Sequence, residues 1–290
     1  MAFNVQTFKT RALTAIIFVV VMLAGLLWNQ WSFFILFSIV HFGCWVEYQK
    51  LVATFHPDYA RITPLHKYGI MLLGWCMMLY FTDSNRWMGS IRLSEIVFWL
   101  GIALIIILPV SIFFELKSTP VINFGYSIGG LLYLSLSLSL LLSMRLLHVD
   151  QTGVARGGEI IALLTIFSLW INDTMAYIVG SLIGKTPLSK ISPKKTWEGT
   201  IGGVILCAIV VAIIGKIMEF SIYHSIAIAV IAGITGTIGD LFESKLKRMA
   251  GVKDSGSIMP GHGGFLDRFD SLLFASIFVW IYVQLAIVHH

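Results

Sequence analysis

Long apolar runs, separated by short polar segments, make up most of the chain. A helix that crosses a bilayer needs about 20 mostly apolar residues. Nine runs approach this length, although the third has only about 14 residues. The nine predicted spans are 12–28, 31–53, 68–81, 94–114, 121–142, 158–183, 198–218, 223–246 and 269–288. A transmembrane β-barrel would instead alternate apolar and polar residues in segments of about ten. We therefore predict an all-α, polytopic integral membrane protein.

The composition agrees with this class, since 57% of the residues are hydrophobic and only 12% are charged. Soluble domains have about 25% charged residues. The first run follows Lys9 and Arg11, as in a signal peptide, but no small-residue cleavage site follows, so we expect a retained span. The three cysteines, Cys44, Cys76 and Cys207, form no CxxC motif and are predicted to be buried apolar side chains.

The distribution of basic residues predicts the orientation. With a cytoplasmic N-terminus, 15 of the 20 Lys and Arg residues fall in cytoplasmic segments. Cytoplasmic loops of membrane proteins carry such an excess, so we predict the N-terminus inside and the C-terminus outside. The net charge of +5 then reflects topology and a surface that faces anionic lipid headgroups. No nucleic-acid partner is expected.

The polar features are concentrated in the second half of the chain. Residues 1–156 contain apolar spans with few polar features and are predicted to be a transmembrane scaffold. Residues 157–290 contain polar loops and acidic residues within spans, and are predicted to be the catalytic region. No internal repeat is evident, which weakens the interpretation as an inverted-repeat transporter.

Three carboxylates within predicted spans are functional candidates, because ionisable groups in a membrane are costly. Glu47 lies near the inner end of the second span, and its main interpretation is a side chain that reaches headgroup water. Asp173 shares a helix face with Tyr177 and two glycines. A helix-packing face is the alternative there.

The third of these carboxylates, Asp240, has the more polar surroundings. It shares a helix face with Glu243, Ser244 and Lys247, and three glycines precede it. Small residues allow a helix or a ligand to approach the backbone closely. We predict a functional role for this face.

The segment Lys253 to Ser271, KDSGSIMPGHGGFLDRFDS, combines three kinds of group. Its cations attract anions, and the glycines around His262 expose backbone N–H groups that can surround an oxyanion. Asp254, Asp267 and Asp270 are hard oxygen donors suited to Mg²⁺. Together these groups favour a metal-bound polyphosphate, although His262 is also interpretable as a structural loop residue.

A second basic loop, SPKKTWEG, begins at Ser192. Lys194 and Lys195 are candidates for a phosphate clamp, and Trp197 for an interfacial anchor. Taken alone this loop is weak evidence, because Lys-rich inner loops are ordinary in membrane proteins.

The second half of the chain resembles the phosphatidate cytidylyltransferases, also called CDP-diacylglycerol synthases. The resemblance rests on Ser244-x-x-Lys247-Arg248, then Lys253-Asp254, then PGHGG and Asp267-Arg268-x-Asp270. The segment NDTMAYIVGSLIGKTPLSKISPKKTWEG is similar to a second block of that family. The resemblance implies that CTP and phosphatidic acid give CDP-diacylglycerol and pyrophosphate with Mg²⁺. It also implies a homodimer in the bacterial plasma membrane, with a cytoplasmic active site that takes its lipid substrate from the bilayer.

The resemblance also assigns roles to individual residues. Asp240 and Asp267 are the implied metal ligands, with an arrangement of two cations as an option. The implied catalytic residues are Asp240, Asp267, Lys247, Arg248 and Lys253. The implied substrate and phosphate contacts are Ser244, His262, Gly263, Gly264, Arg268, Lys194, Lys195 and Asp173.

Two other functions remain open at this stage. A CTP-dependent kinase of polyprenols or phytol would also need a nucleotide–metal site near a lipid. In an ion-coupled transporter, Asp173 and Asp240 would bind the moving ion, but the glycine-rich cytoplasmic loop argues against this.

Overall fold

Ten α-helices account for most of the part of the chain that the computed structural model describes, which is residues 5–82, 87–88, 91–112, 120–147, 157–257 and 263–288. They are α1 (Val5–Leu27), α2 (Gln30–Phe55), α3 (Pro64–Thr82), α4 (Leu93–Ile112), α5 (Pro120–Gly130), α6 (Ser137–Arg145), α7 (Gly157–Ile183), α8 (Trp197–Ile217), α9 (Ile222–Met249) and α10 (Leu266–Val283). A 3₁₀ turn covers Pro57–Arg61, and π-helical turns cover Leu131–Leu136 and Gln284–Val288. The only strands among the described residues are β1 (Trp87–Met88) and β2 (Ile91–Arg92), which pair antiparallel.

Seven helical segments in the described ranges are long and apolar enough to cross a membrane. They are Gln30–Phe55, Leu93–Ser111, Val121–Arg145, Gly157–Ile183, Trp197–Ile217, Ile222–Met249 and Leu266–Val288. The prediction of an all-α polytopic membrane protein is thus confirmed, but the count of nine spans is not. Helices α1 and α3 form where the other two spans were predicted. The described apolar part of α1 is only Ile16–Leu27, and α3 is not among the seven.

The chain divides into two compact units. The first unit contains Met1–Ser135 and Met249–Phe269, and the second contains Leu136–Arg248 and Asp270–His290. These boundaries differ from the predicted division at residue 156. That division concerned function, and it stays a prediction.

In the first unit, α2 lies among aromatic side chains and buried polar groups. Asn29 and Ser32 form a capping box at its N-terminus, which satisfies N–H groups that have no partner within the helix. Farther along α2, the ring nitrogens His41 Nε2 and Trp45 Nε1 each lie 2.9 Å from Ser135 Oγ. Gly74 leaves the room that this seryl side chain needs. These two buried ring nitrogens of α2 are thereby paired, as is usual in folded interiors.

In the second unit, α7 and α8 pack closely through small residues. A Cβ added at Gly203 would lie 2.7 Å from the Ala176 Cβ, and one at Gly199 would lie 2.9 Å from the Gly180 Cα. Small residues at such positions let membrane helices approach backbone to backbone. This close contact holds the polar face of α7 beside the loop that precedes α8.

Candidate active site

A polar-lined cavity of about 380 Å³ lies within the second unit. Its walls come from α7, the loop before α8, the start of α8, and α9. The lining residues are Asn172, Asp173, Ala176, Tyr177, Gly180, Ser181, Lys194, Lys195, Thr196, Thr200, Thr237 and Asp240. Four of the predicted site residues, Asp173, Lys194, Lys195 and Asp240, therefore line one cavity.

The basic loop before α8 has a defined shape. Thr196 accepts the Gly199 N–H at 3.1 Å and caps α8, and it forms an isolated antiparallel bridge with Pro187. The Glu198 carboxylate accepts the backbone N–H groups of Lys185 and Thr186 at 3.2 Å. These contacts close the loop, so that its lysines lie at the cavity.

An ion pair crosses this cavity. Lys195 Nζ contacts the Asp240 Oδ2 atom, and both side chains are about a quarter exposed, at 29% and 26%. The other carboxylate oxygen of Asp240 accepts a hydrogen bond from the Ser244 hydroxyl, one turn later on α9, at 3.3 Å. Asp240 is thus held from two sides and still reaches solvent.

Asp240 also belongs to a cluster of three acids. Carboxylate oxygens of Asp240, Glu243 and Asp270 all lie within 4.8 Å of one another. Glu243 is fully buried and pairs with Lys247 on the next turn of α9. Gly239 allows the close approach of α10, since a Cβ there would lie 2.6 Å from the Asp270 carbonyl oxygen.

The cluster suits a hard divalent cation. Mg²⁺ and Ca²⁺ are bound by carboxylate and other oxygen ligands, and Mg²⁺ usually takes one or two carboxylates together with water and substrate phosphates. Lys195 and Lys247 each form an ion pair with one of these three carboxylates. We conclude that Asp240, Glu243 and Asp270 could hold a metal ion.

Asp267 has a separate set of contacts within the first unit. Its Oδ2 atom accepts the N–H groups of Ser255 at 2.9 Å and of Gly264 at 2.8 Å, and it lies 2.9 Å from the Ser255 hydroxyl. The Gly264 N–H is therefore engaged within the protein. The roles of Asp267 as a metal ligand and of Gly264 as a phosphate contact stay predictions.

Glu47 does not reach headgroup water, and that interpretation is wrong. Its side chain lies inside the first unit with only 2% of the residue exposed. The carboxylate accepts the backbone N–H groups of Phe265 at 2.9 Å and of Leu266 at 2.8 Å, and the Ser255 hydroxyl at 2.7 Å. Glu47 thus binds the start of α10, which begins at Leu266.

Comparison with known proteins decides the family. The family model described as "Cytidylyltransferase family" matches residues 9–286, which is nearly the whole chain. The chain belongs to this cytidylyltransferase family. The resemblance inferred from the motif in residues 244–270, which we call the signature segment, is confirmed.

Named relatives in this family match a shorter region. Phosphatidate cytidylyltransferase 4, chloroplastic, from Arabidopsis thaliana is 41% identical over 129 residues, which cover 44% of this chain and 33% of the relative. Phosphatidate cytidylyltransferase from Staphylococcus haemolyticus is 50% identical over 109 residues, which cover 37% of this chain and 42% of the relative. That from Synechocystis is 43% identical over 131 residues, which cover 44% of each. The chain thus spans less than half the length of the curated relatives it matches.

Several of the predicted cationic site residues lie at solvent. They are Lys194, Arg248, Lys253 and Arg268. Gly263 adopts a φ of +81°, a conformation that disfavours other residues. His262 lies outside the described residues.

Two members of the acid cluster, Glu243 and Asp270, had no specific role assigned from the sequence. Glu243 was predicted to share a helix face with Asp240, and Asp270 was counted among the oxygen donors suited to Mg²⁺, but neither was among the implied metal ligands. The i, i+3 spacing of Asp240 and Glu243 was the available signal. Glu47 was missed as a loop-binding residue, although a carboxylate within an apolar span pointed to it.

Proposed function

We propose that this protein transfers the cytidylyl group of CTP to phosphatidic acid, which gives CDP-diacylglycerol and pyrophosphate. The observation that carries the proposal is the acid cluster of Asp240, Glu243 and Asp270, next to a lysine-lined cavity in a chain of this family. The relatives named phosphatidate cytidylyltransferase supply the substrate pair.

The reaction needs charge neutralisation more than a strong base. A phosphate oxygen of phosphatidic acid is already anionic at pH 7, and it attacks the α-phosphorus of CTP. The bond to the bridging oxygen of the β-phosphate breaks, and pyrophosphate leaves with that electron pair. Fixed cations that face the developing charge lower the barrier of such a transfer. Lys194 and Lys195 at the cavity, and Lys247 and Arg248 on α9, are the groups that we assign to this role.

The donor set fits Mg²⁺. Asp240, Glu243 and Asp270 would hold it, and Asp267 remains a proposed further ligand, with a second cation as an option. When bound, the metal neutralises phosphate charge and orients the triphosphate. Asp240 would exchange its contact with Lys195 for the metal, and the lysine would then be available to a phosphate oxygen.

Three helices in the cavity wall, α7, α8 and α9, are long and apolar enough to cross a membrane, which suits a lipid substrate. We propose an integral protein of a bacterial plasma membrane, with a cytoplasmic N-terminus and active site. Phosphatidic acid would enter from the inner leaflet and CTP from water. The homodimer stays a prediction from the resemblance.

A labelling experiment tests the function. Purified protein is incubated with phosphatidic acid, Mg²⁺ and CTP labelled at the α-phosphate, and the lipids are extracted. Label in the lipid fraction together with released pyrophosphate is the expected result. A parallel incubation uses CTP labelled at the γ-phosphate. Transfer of this label to lipid, without transfer of the α-label, would favour the lipid kinase. Ion flux into proteoliposomes without CTP turnover would favour the transporter.

A further inference from the structure

We infer that Glu47 is a positioning residue for the signature segment, although it lies about 200 positions away from it in the chain. The structural part of this inference is independent of the proposed function, and only its consequence for catalysis rests on that function. The buried Glu47 carboxylate, on α2, binds the segment at two places, the Ser255 hydroxyl and the first N–H groups of α10. We call this arrangement the Glu47 clamp, formed by Glu47, Ser255, Phe265 and Leu266.

The hydrogen bonds of the clamp are those that a helix start needs. The first N–H groups of a helix have no partner within it, and the helix dipole favours a negative charge there. Oε1 of Glu47 accepts from Phe265, and Oε2 from Leu266 and Ser255. Among the described residues Glu47 forms no ion pair, so these donors compensate its buried charge. Charge-assisted hydrogen bonds of this kind are about twice as strong as neutral ones.

The packing around the clamp is shaped for it from both sides. On the segment, a Cβ at Gly256 or Gly264 would collide with the Glu47 carboxylate. On α2, a Cβ at Gly43, one turn before Glu47, would collide with the Phe265 ring. Glycines on the segment therefore leave room for the Glu47 carboxylate, and a glycine on α2 leaves room for the Phe265 ring.

The clamp also joins Asp267 to α2. The Ser255 hydroxyl lies 2.7 Å from Glu47 Oε2 and 2.9 Å from Asp267 Oδ2, and the Ser255 N–H donates to Asp267. Asp267 carries a predicted catalytic role, and the neighbouring Arg268 is a predicted phosphate contact. Their positions therefore depend on a side chain outside the signature.

The effect of Glu47→Gln follows from this geometry. Both carboxylate oxygens accept backbone N–H groups, so either orientation of the amide puts an NH₂ against an N–H donor. Glu47→Asp keeps the charge but shortens the side chain by one methylene. We expect the clamp to be broken in the first variant and weakened in the second.

The experiment measures hydrogen exchange and turnover on the same preparations of the full chain. In Glu47→Gln, the amides of Phe265 and Leu266, which donate to Glu47, should exchange about tenfold faster than in the original protein, with a smaller change in Glu47→Asp. The kcat for CTP should fall at least tenfold, with KM for CTP within about twofold, and Glu47→Asp should recover part of the loss. Glu95→Gln, an exposed carboxylate at the start of α4, is the matched control and should change neither quantity.

Unchanged exchange in folded Glu47→Gln would overturn the clamp. A kcat per folded molecule equal to that of the original protein would overturn the positioning role. If Glu47→Gln does not fold, Ser255→Ala removes one contact of the clamp and is judged by the same two measurements. If the original protein transfers no cytidylyl group, the proposed function fails, whereas the exchange measurement still tests the clamp.

Discussion

Replacement of Asp240 by Asn removes one negative charge from the acid cluster and keeps the shape of the side chain. If Asp240 holds the metal that carries the CTP phosphates, the variant loses a contact that stabilises charge in the transition state. Such contacts contribute about 3–4 kcal/mol, which corresponds to about 10²- to 10³-fold in rate. We therefore expect turnover to fall by that factor in Asp240→Asn.

The stability of Asp240→Asn should change much less. The variant loses the ion pair with Lys195, and both side chains of that pair are about a quarter exposed. Pairs at solvent contribute about 0–1 kcal/mol, and this one is discounted further because the variant also relieves repulsion from the other two carboxylates of the cluster. The change in the free energy of unfolding should stay below about 1 kcal/mol. A purely structural Asp240 would give the opposite pattern, with lower stability and normal specific activity.

The assay measures CTP turnover against Mg²⁺ concentration, with thermal melts in detergent as the folding control. Asp267→Asn is measured in parallel, because its role as a metal ligand is also a prediction. Glu219→Gln, an exposed carboxylate in the same unit as Asp240, serves as the matched control. Near-normal turnover at ordinary Mg²⁺ in folded Asp240→Asn would refute the assignment of Asp240 to the metal site.

Three further predictions concern the metal, the packing and the topology. Mg²⁺ at a hundred times its dissociation constant should stabilise the protein by about 2.7 kcal/mol, which is measured as a higher melting temperature. Asp270→Asn should reduce this increase in melting temperature, and an undiminished increase would remove Asp270 from the metal site. Gly203→Val should destabilise the protein by about 1–3 kcal/mol, because the added side chain overpacks the contact with Ala176. Its control is Gly125→Ala, which should be neutral or slightly stabilising in the same melts, because a Cβ at Gly125 meets no atom within 4 Å. Single cysteines that replace Lys195 and Lys253, in a background without the three native cysteines, should react with an impermeant thiol reagent only from the cytoplasmic side; labelling of either from outside would contradict the orientation.

The sequence predicted the helices well because long apolar runs leave the backbone no alternative to internal hydrogen bonding in a membrane. It singled out Asp173 and Asp240, because charged groups in such runs are costly, and Lys195 because it lies in a basic loop. It could not predict that Asp270 lies beside Asp240 and Glu243, since that depends on the close approach of α9 and α10 at Gly239. It also could not show that Glu47 binds Phe265 and Leu266, because nothing local in α2 indicates a partner more than 200 positions away. Pairings of this kind come from packing, not from periodicity.

Glu47 and Asp240 differ in how their charge is balanced, and this difference supports the different roles that we propose for them. Glu47 is buried, and three donors occupy its oxygens, so it has little capacity left for a ligand. Asp240 is partly exposed at a cavity, and its main partner is a lysine side chain that can move. Burying charge in a helix bundle is a poor way to gain stability, since apolar replacements of buried ion pairs are often as stable or more so. The arrangement around Asp240 therefore fits a site at which a metal ion replaces the lysine as the partner of the carboxylate. The arrangement around Glu47 fits a fixed support for the loop before α10.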